Sequence, residues 1–153
     1  MKTLEEIQTE MVQNIYDVFE NDADKYFIDG DLRDSGVTGC GIFFEKDGKI
    51  ILKNDDIQSL NPKYDLLHGR DEVETKNLYL AQEIGKWFIE NGHPLPNRFR
   101  MIFDTSTKKL DVDYAYATPD MLEDTDESTD KWNEWISREK WIEEIENQRK
   151  SEK

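Results

Sequence analysis

Two runs of alternating apolar and polar residues stand out between residues 99 and 116 of the chain. Their apolar members are Phe99, Met101, Phe103, Leu110, Val112, Tyr114 and Tyr116. A period of two is typical of a strand with one buried face. Because only a short polar segment separates the runs, they predict an antiparallel hairpin. We expect its apolar face to line a core and its other face, which carries acidic residues, to form a negative surface.

A second hairpin is predicted upstream of the first. Residues 41–46 and 49–52 are rich in Ile, Phe and Leu, and they flank the dipeptide Asp47-Gly48. This dipeptide favours a two-residue primed turn, because glycine adopts positive φ without strain. A further strand is expected to begin at Tyr26, and glycines at 30, 36 and 39 interrupt the segment that follows it.

Two amphipathic helices are predicted from apolar residues that recur at intervals of three and four. The first covers about residues 4–20, and it starts with Thr3 and Glu6, which have the spacing of a capping box. The second opens at Asp71 and covers residues 72–90, because Gly92 and the proline after it stop a helix.

A third helix is predicted over about residues 128–148, where Trp and Ile recur at helical spacing. Residues 53–71 are polar and rich in turn formers, so they predict an irregular connection with one short helical turn. The order of these elements predicts an α+β fold, in which N-terminal, central and C-terminal helices pack on an antiparallel sheet of four or five strands. We expect a single domain over residues 1–153, frayed from about residue 149.

The net charge limits the classes of molecule that the protein is expected to bind. The chain has 35 Asp and Glu against 20 Lys and Arg, a net charge of -15. This charge opposes binding to nucleic acid and to anionic membranes, and it favours capture of a basic protein. No apolar run approaches the ~20 residues of a membrane span, no apolar signal segment follows Met1, and Cys40 is the only cysteine. We therefore expect a cytoplasmic protein in a reducing compartment.

Catalytic signatures are not found in the sequence. It contains no phosphate loop, zinc-ligand spacing or nucleophile elbow, and its two histidines are isolated. We expect no enzyme activity, no metal and no cofactor. One alternative is a divalent-metal enzyme that uses Asp111 and Asp113, about 7 Å apart on one strand face, with Asp104 opposite. Another is a small adaptor that dimerises through the Trp-rich helix. Monomer and weak homodimer both stay open.

Acidic residues are concentrated between Asp111 and Asp130. Two of them lie on the second predicted strand, and residues 120–130 contain no base. Because clustered like charge costs stability, a solvated face and a binding surface for a basic partner both account for them. A nuclease is the obvious partner, since its substrate groove is cationic. Aromatic residues next to the acids could supply the anchors of such an interface. The predicted partner-binding residues are Asp111, Asp113, Tyr116, Asp120, Asp124, Asp126, Glu127, Asp130 and Trp132.

The central hairpin resembles that of the YezG-like immunity and antitoxin family. In that family an aromatic-rich strand precedes a strand of the pattern Lys-Leu-x-Val-Asp-Tyr-x-Tyr. In this sequence the first strand corresponds to residues 99–103 and the second to residues 109–116. The upstream order of helix, hairpin and long helix is also similar. The resemblance implies a small cytoplasmic immunity protein of bacterial competition. Such a protein binds and neutralises a cognate toxin domain, commonly a nuclease, and is not an enzyme.

Overall fold

The computed structural model describes residues 2–32, 38–63 and 66–151, without the side chains of residues 38 and 66–71. This part of the chain contains five α-helices and a five-stranded antiparallel sheet, so the predicted α+β fold is confirmed. The helices are α1 (Leu4–Phe19), α2 (Asn54–Leu60), α3 (Leu66–Glu90), α4 (Asp126–Ile136) and α5 (Arg138–Ser151). The strands are β1 (Lys25–Leu32), β2 (Thr38–Lys46), β3 (Lys49–Ile51), β4 (Arg98–Asp104) and β5 (Lys109–Ala115). Among the described residues, no helix is long and apolar enough to cross a membrane.

The sheet has the strand order β3-β2-β1-β4-β5. Both predicted hairpins are confirmed, as β2–β3 and β4–β5. Asp47 and Gly48 have φ angles of 51° and 79°, and positive φ at both central residues is what a type I′ turn requires. Strand β1 lies at the centre of the sheet, because it pairs with β2 on one side and with the distant β4 on the other. The glycine at position 36 lies outside the described residues.

Helices α1 and α3 pack on one face of the sheet and enclose the main core. Phe19 of α1 contacts Phe44 of β2, with ring centroids 4.7 Å apart. Asn77 of α3 is fully buried, where its side-chain oxygen accepts from Asn14 at 2.9 Å and its nitrogen donates to the Met11 carbonyl at 3.3 Å. Because a buried amide needs partners, these hydrogen bonds fix α3 against α1.

The second face of the sheet is more complex than the acidic face predicted from the sequence. Phe27 and Phe43 stack there with centroids 4.6 Å apart and an interplanar angle of 3°, and both are buried. Next to them, Arg100 lies opposite Asp29 on one side and opposite Asp113 on the other. This face therefore combines a buried aromatic pair with rows of opposite charge.

The ends of the sheet's two hairpins are tied to the residues that precede β1. The Thr105 hydroxyl donates to the carbonyls of Ala23 and Asp24 at 2.9 and 3.0 Å. The Asp24 carboxylate accepts from the Asp47 amide at 2.8 Å. One short segment therefore anchors the β4–β5 turn and the β2–β3 turn together.

One predicted helix boundary is wrong, and one predicted helical turn is longer than expected. Helix α3 starts at Leu66 rather than at Asp71, and α2 occupies part of the predicted irregular connection. In α2, the acids Asp55 and Asp56 lie in the first turn, where they stabilise the helix dipole, and Ile57 is buried. Only one short helical turn was predicted here, because Ile57 is the one buried residue of α2 and polar residues and turn formers surround it in the sequence.

The third predicted helix is divided in two. Ser137 has an extended backbone (φ -62°, ψ 130°), and α5 begins at the next residue. The Ser137 hydroxyl accepts from the Lys140 amide at 3.3 Å, and its carbonyl accepts from the Trp141 amide at 3.2 Å. Ser137 therefore caps α5, a position that serine favours over the helix interior.

Tertiary contacts divide the chain into two compact units. The sheet unit, Met1–Ala115, contains α1 to α3 and all five strands. The C-terminal unit, Tyr116–Lys153, contains a short 3₁₀ turn, Pro119–Met121, with α4 and α5. Folding of the whole chain as a single domain stays a prediction.

One buried and one partly buried tyrosine predict loss of stability at alkaline pH. Burial raises the pKa of Tyr114 to about 12, and it also raises the pKa of Tyr26, whose hydroxyl donates to the Glu20 carbonyl. In the unfolded chain these hydroxyls ionise near pH 10, so the unfolded state releases protons first. We expect the free energy of unfolding to fall between about pH 10 and pH 12.

Urea denaturation at a series of pH values measures this slope. The double variant Tyr26→Phe/Tyr114→Phe cannot ionise at either site, so its unfolding free energy should change less over the same range. Equal slopes for the two proteins would contradict a contribution from these hydroxyls.

Candidate partner-binding surfaces

Asp111 and Asp113, the β5 acids, lie on the edge strand of the sheet unit. Both are exposed, and both project from the second face. The Asp113 carboxylate is 3.8 Å from the guanidinium of Arg98. Asp111 lies opposite Ile102, so no base faces it across the β4–β5 ladder. The charge of Asp113 is therefore partly compensated within the protein, whereas that of Asp111 is directed to solvent.

Asp104 does not join the β5 acids. Its cross-strand neighbour is Lys109, and its carboxylate accepts from the Ser106 hydroxyl at 2.7 Å and from the amides of Ser106 and Thr107 at 2.9 and 3.2 Å. The Ser106 hydroxyl bond and the Thr107 amide bond hold the pKa of Asp104 below its usual value. Among the described residues, no three His, Cys, Asp or Glu side chains converge as metal ligands.

Residues 116–130, the acidic segment, belong to the C-terminal unit and carry the other predicted carboxylates. The Thr118 hydroxyl and the Lys131 ammonium both donate to Asp120, the latter at 3.1 Å, and they lower its pKa. Lys131 is also 3.6 Å from Glu127. One lysine thus compensates part of the charge of two acids.

Helix α4 gives the second half of the acidic segment its structure. The Thr125 hydroxyl accepts from the Ser128 amide at 3.0 Å and so caps the helix. Asp126 and Glu127 follow in the first turn, and Asp130 is exposed in the next. Acids at a helix N-terminus are stabilised by the helix dipole. The same sequence feature therefore folds the helix and displays its carboxylates.

The exposed apolar residues of the C-terminal unit differ in part from those predicted. Tyr116 is 49% exposed, as an anchor must be, but Trp132 is only 8% exposed and contacts Trp135 at 5.6 Å between centroids. Leu122, which sequence reasoning missed, is 61% exposed. The sequence signal that could have identified Leu122 is its position inside an acidic run, without apolar neighbours at helical or strand spacing.

The nine predicted residues fall into two groups. Asp111 and Asp113 belong to the sheet unit, and the other seven belong to the C-terminal unit. The structure brings the β5 acids together on one strand and links Asp120 to Glu127 through Lys131. Each group is therefore a candidate surface of its own unit.

A groove between α1 and α3 was not predicted. It has a volume of about 470 Å³ and is lined by Lys2, Glu6, Ile7, Glu83, Lys86, Trp87 and Glu90. The ammonium of Lys2 lies 2.6 Å from Glu10 and 3.8 Å from Glu83, and the Glu10 hydrogen bond raises the pKa of Lys2. The groove thus already holds a cation of its own chain. Its lining comes from the ends of two helices far apart in sequence, which is why periodicity does not indicate it.

Comparison with known proteins leaves the family open. The chain matches no protein-family model, and it has no significant match among curated proteins. The likeness to YezG-like proteins rests on the residues of β4 and β5 quoted above.

Proposed function

We propose that this chain is a cytoplasmic, non-enzymatic immunity protein that binds a cognate basic toxin domain and neutralises it. A nuclease is the class of toxin that fits best, because its groove must be cationic to bind phosphates. One observation carries the proposal: Tyr116 and Leu122 are exposed within a segment whose carboxylates are also exposed. Apolar anchors among polar and charged residues are typical of protein interfaces.

A purely structural role accounts for only part of this acidity. Asp126 and Glu127 stabilise the start of α4, and Lys131 compensates Asp120. Asp124 precedes the helix cap, and Asp130 lies beyond the first turn. Within the described chain, neither forms an ion pair. Asp124 and Asp130, together with the two exposed apolar side chains, are therefore the residues we expect a partner to contact.

Binding would proceed in two steps. The negative potential of the acidic segment steers a cationic domain towards the surface, which raises the association rate at low salt. Desolvated apolar contacts then slow dissociation, because most differences in affinity between related complexes lie in the dissociation rate. A bound protein that covers a nuclease groove prevents nucleic acid from entering it.

The test uses a basic toxin domain, sought in the product of the neighbouring gene, and the variant Asp124→Asn/Asp126→Asn/Asp130→Asn. We expect the association rate at low salt to fall about tenfold and to depend less on salt than that of the unchanged protein. Surface plasmon resonance at several salt concentrations measures both quantities. A nuclease assay shows whether binding also inhibits.

The matched control is Glu5→Gln/Asp56→Asn/Glu146→Gln, which removes three exposed charges from α1, α2 and α5. It removes the same number of negative charges but leaves the acidic segment intact. Its association rate should therefore stay close to that of the unchanged protein. Equal losses in the two triple variants would overturn docking at this segment. No binding of the basic domain by the unchanged protein would overturn the immunity function itself.

A further inference from the structure

Strand β5 is an edge strand of the sheet. It pairs with β4 on one side, and no other strand of the described chain lies beside it. Alternate residues of a strand direct their backbone N–H and C=O groups to opposite sides, so about half of those in β5 point away from β4. Between Leu110 and Tyr114, no hydrogen bond from outside the β4–β5 ladder reaches the backbone within the described residues. Such a row of backbone groups is a template for another strand.

The two edges of the sheet differ in length and regularity. Strand β3 has three residues, whereas β5 has seven. Short edges, prolines, bulges and charged side chains are the usual protection against pairing with another chain. Strand β5 contains no proline, and it pairs with β4 residue for residue from Lys109 to Ala115 without a bulge. Among the described strands, β5 therefore offers the longer edge for an added strand.

We propose that β5 binds an extended segment of the partner protein in which basic and apolar residues alternate. This segment adds to the sheet as a sixth strand next to β5. The inference rests on the proposed function, because it names how the basic partner is held. Main-chain hydrogen bonds supply affinity in this mode of recognition, and side chains on the two faces of the added strand supply specificity.

The side chains of β5 define the chemistry of that segment. Asp111 and Asp113 are exposed on the second face, and opposite charges on neighbouring strands stabilise a pair. Leu110, Val112 and Tyr114 project from the other face, where they are partly buried against the main core. An added strand with Lys or Arg beside the two acids would therefore place its alternate residues next to the rim of the core. Apolar residues at those positions would extend the core.

A second copy of this chain fits the edge poorly in the register that pairs the whole of β5. Antiparallel pairing of two β5 strands about Val112 aligns all seven residues, and it places Asp111 of each copy beside Asp113 of the other. Like charges directly opposite each other destabilise a strand pair. In the same register Lys109 meets Ala115, so it compensates neither acid. The register that pairs all seven residues of β5 with a second copy is thus disfavoured, whereas a basic strand is favoured.

The experiment adds to the ¹⁵N-labelled full chain a synthetic peptide of about seven residues in which Lys and Val alternate. Three controls are matched to it: a peptide of equal composition with its lysines grouped together, the alternating peptide with methylated backbone amides, and the variant Asp111→Asn/Asp113→Asn. We expect the alternating peptide to bind at least about tenfold more tightly than either control peptide. Amide hydrogens at every second residue between Leu110 and Tyr114 should exchange more slowly in its presence. The double variant should weaken binding of the alternating peptide.

Equal binding of the three peptides, or slower exchange only outside β5, would overturn the inference. Hydrogen exchange with the basic nuclease domain separates this outcome from failure of the proposed function. Binding of that domain without added protection in β5 removes the edge mechanism and leaves the immunity function standing. If the protein binds the alternating peptide at β5 but does not bind the nuclease domain, the edge mechanism is supported and the nuclease is removed as its target.

Discussion

Gly30→Ala is expected to lower the free energy of unfolding by about 3 kcal/mol, the upper part of the usual range for overpacking. Gly30 and Phe99 are cross-strand neighbours on β1 and β4, and the Phe99 ring lies over the glycine. A Cβ atom at position 30 would come within 1.9 Å of Phe99 Cε1. The ring must therefore move, although it is fully buried in the main core. Chemical denaturation of the two proteins measures the difference.

Gly39→Ala is the matched control for Gly30→Ala. The nearest atom to a Cβ at position 39 is Asp31 Cβ at 3.6 Å, an ordinary van der Waals distance. Because alanine also loses less backbone entropy than glycine on folding, this substitution should be neutral or slightly stabilising. The double variant Gly30→Ala/Phe99→Leu should lose less stability than the sum of its single variants, since leucine frees space above position 30. A Gly30→Ala protein as stable as Gly39→Ala would contradict the clash.

Phe43→Ala is expected to cost about 3–5 kcal/mol of unfolding free energy, as much as Phe44→Ala. The two residues are consecutive on β2 and point to opposite faces of the sheet, yet both are fully buried. Phe44 contacts Phe19 and Tyr26 on the main-core face, whereas Phe43 stacks on Phe27. A loss of this size is a large fraction of the total stability of a typical domain.

The comparison with an exposed aromatic residue tests whether the second face is a core layer. Tyr79 of α3 is 64% exposed, so Tyr79→Ala should change the unfolding free energy by less than about 0.5 kcal/mol. Urea denaturation of the three alanine variants at one pH gives the ranking. If Phe43→Ala resembles Tyr79→Ala rather than Phe44→Ala, the stacked pair does not stabilise the sheet.

Local patterns in the sequence were sufficient to predict the two hairpins. The Asp47-Gly48 turn and the alternation from Phe99 to Tyr114 each depend on neighbouring residues, so both were visible in the sequence. The pairing of β1 with β4 was not visible, because it joins segments about 70 residues apart through long-range packing. The sequence does contain a pattern that indicates burial of the second face, but a search for alternating apolar and polar residues does not find it. Uninterrupted apolar runs, such as those at residues 26–28 and 42–44, are typical of strands buried on both faces.

The negative charge of the candidate surfaces could be predicted from the sequence. Which of the acids are compensated by bases of the same protein could not. The acidity of residues 111–130 is a property of composition, whereas the distance from Arg98 to Asp113 depends on the register between β4 and β5. A shift of one residue would turn these side chains to opposite faces. Trp132 was predicted as an exposed anchor because it follows the acids in sequence. Its burial depends on how α4 packs, which a helical period of apolar residues does not specify.

The central position of β1 has a consequence for synthesis of the protein. Strands β1 to β3 leave the ribosome early, but β1 lacks its second neighbour until β4 emerges about 70 residues later. During that interval an apolar strand from the middle of the finished sheet is exposed along one side. Nascent chains in this state are prone to associate with one another or to be bound by chaperones. Slow translation between residues 60 and 98 would therefore lower the yield of folded protein without any change in its final stability.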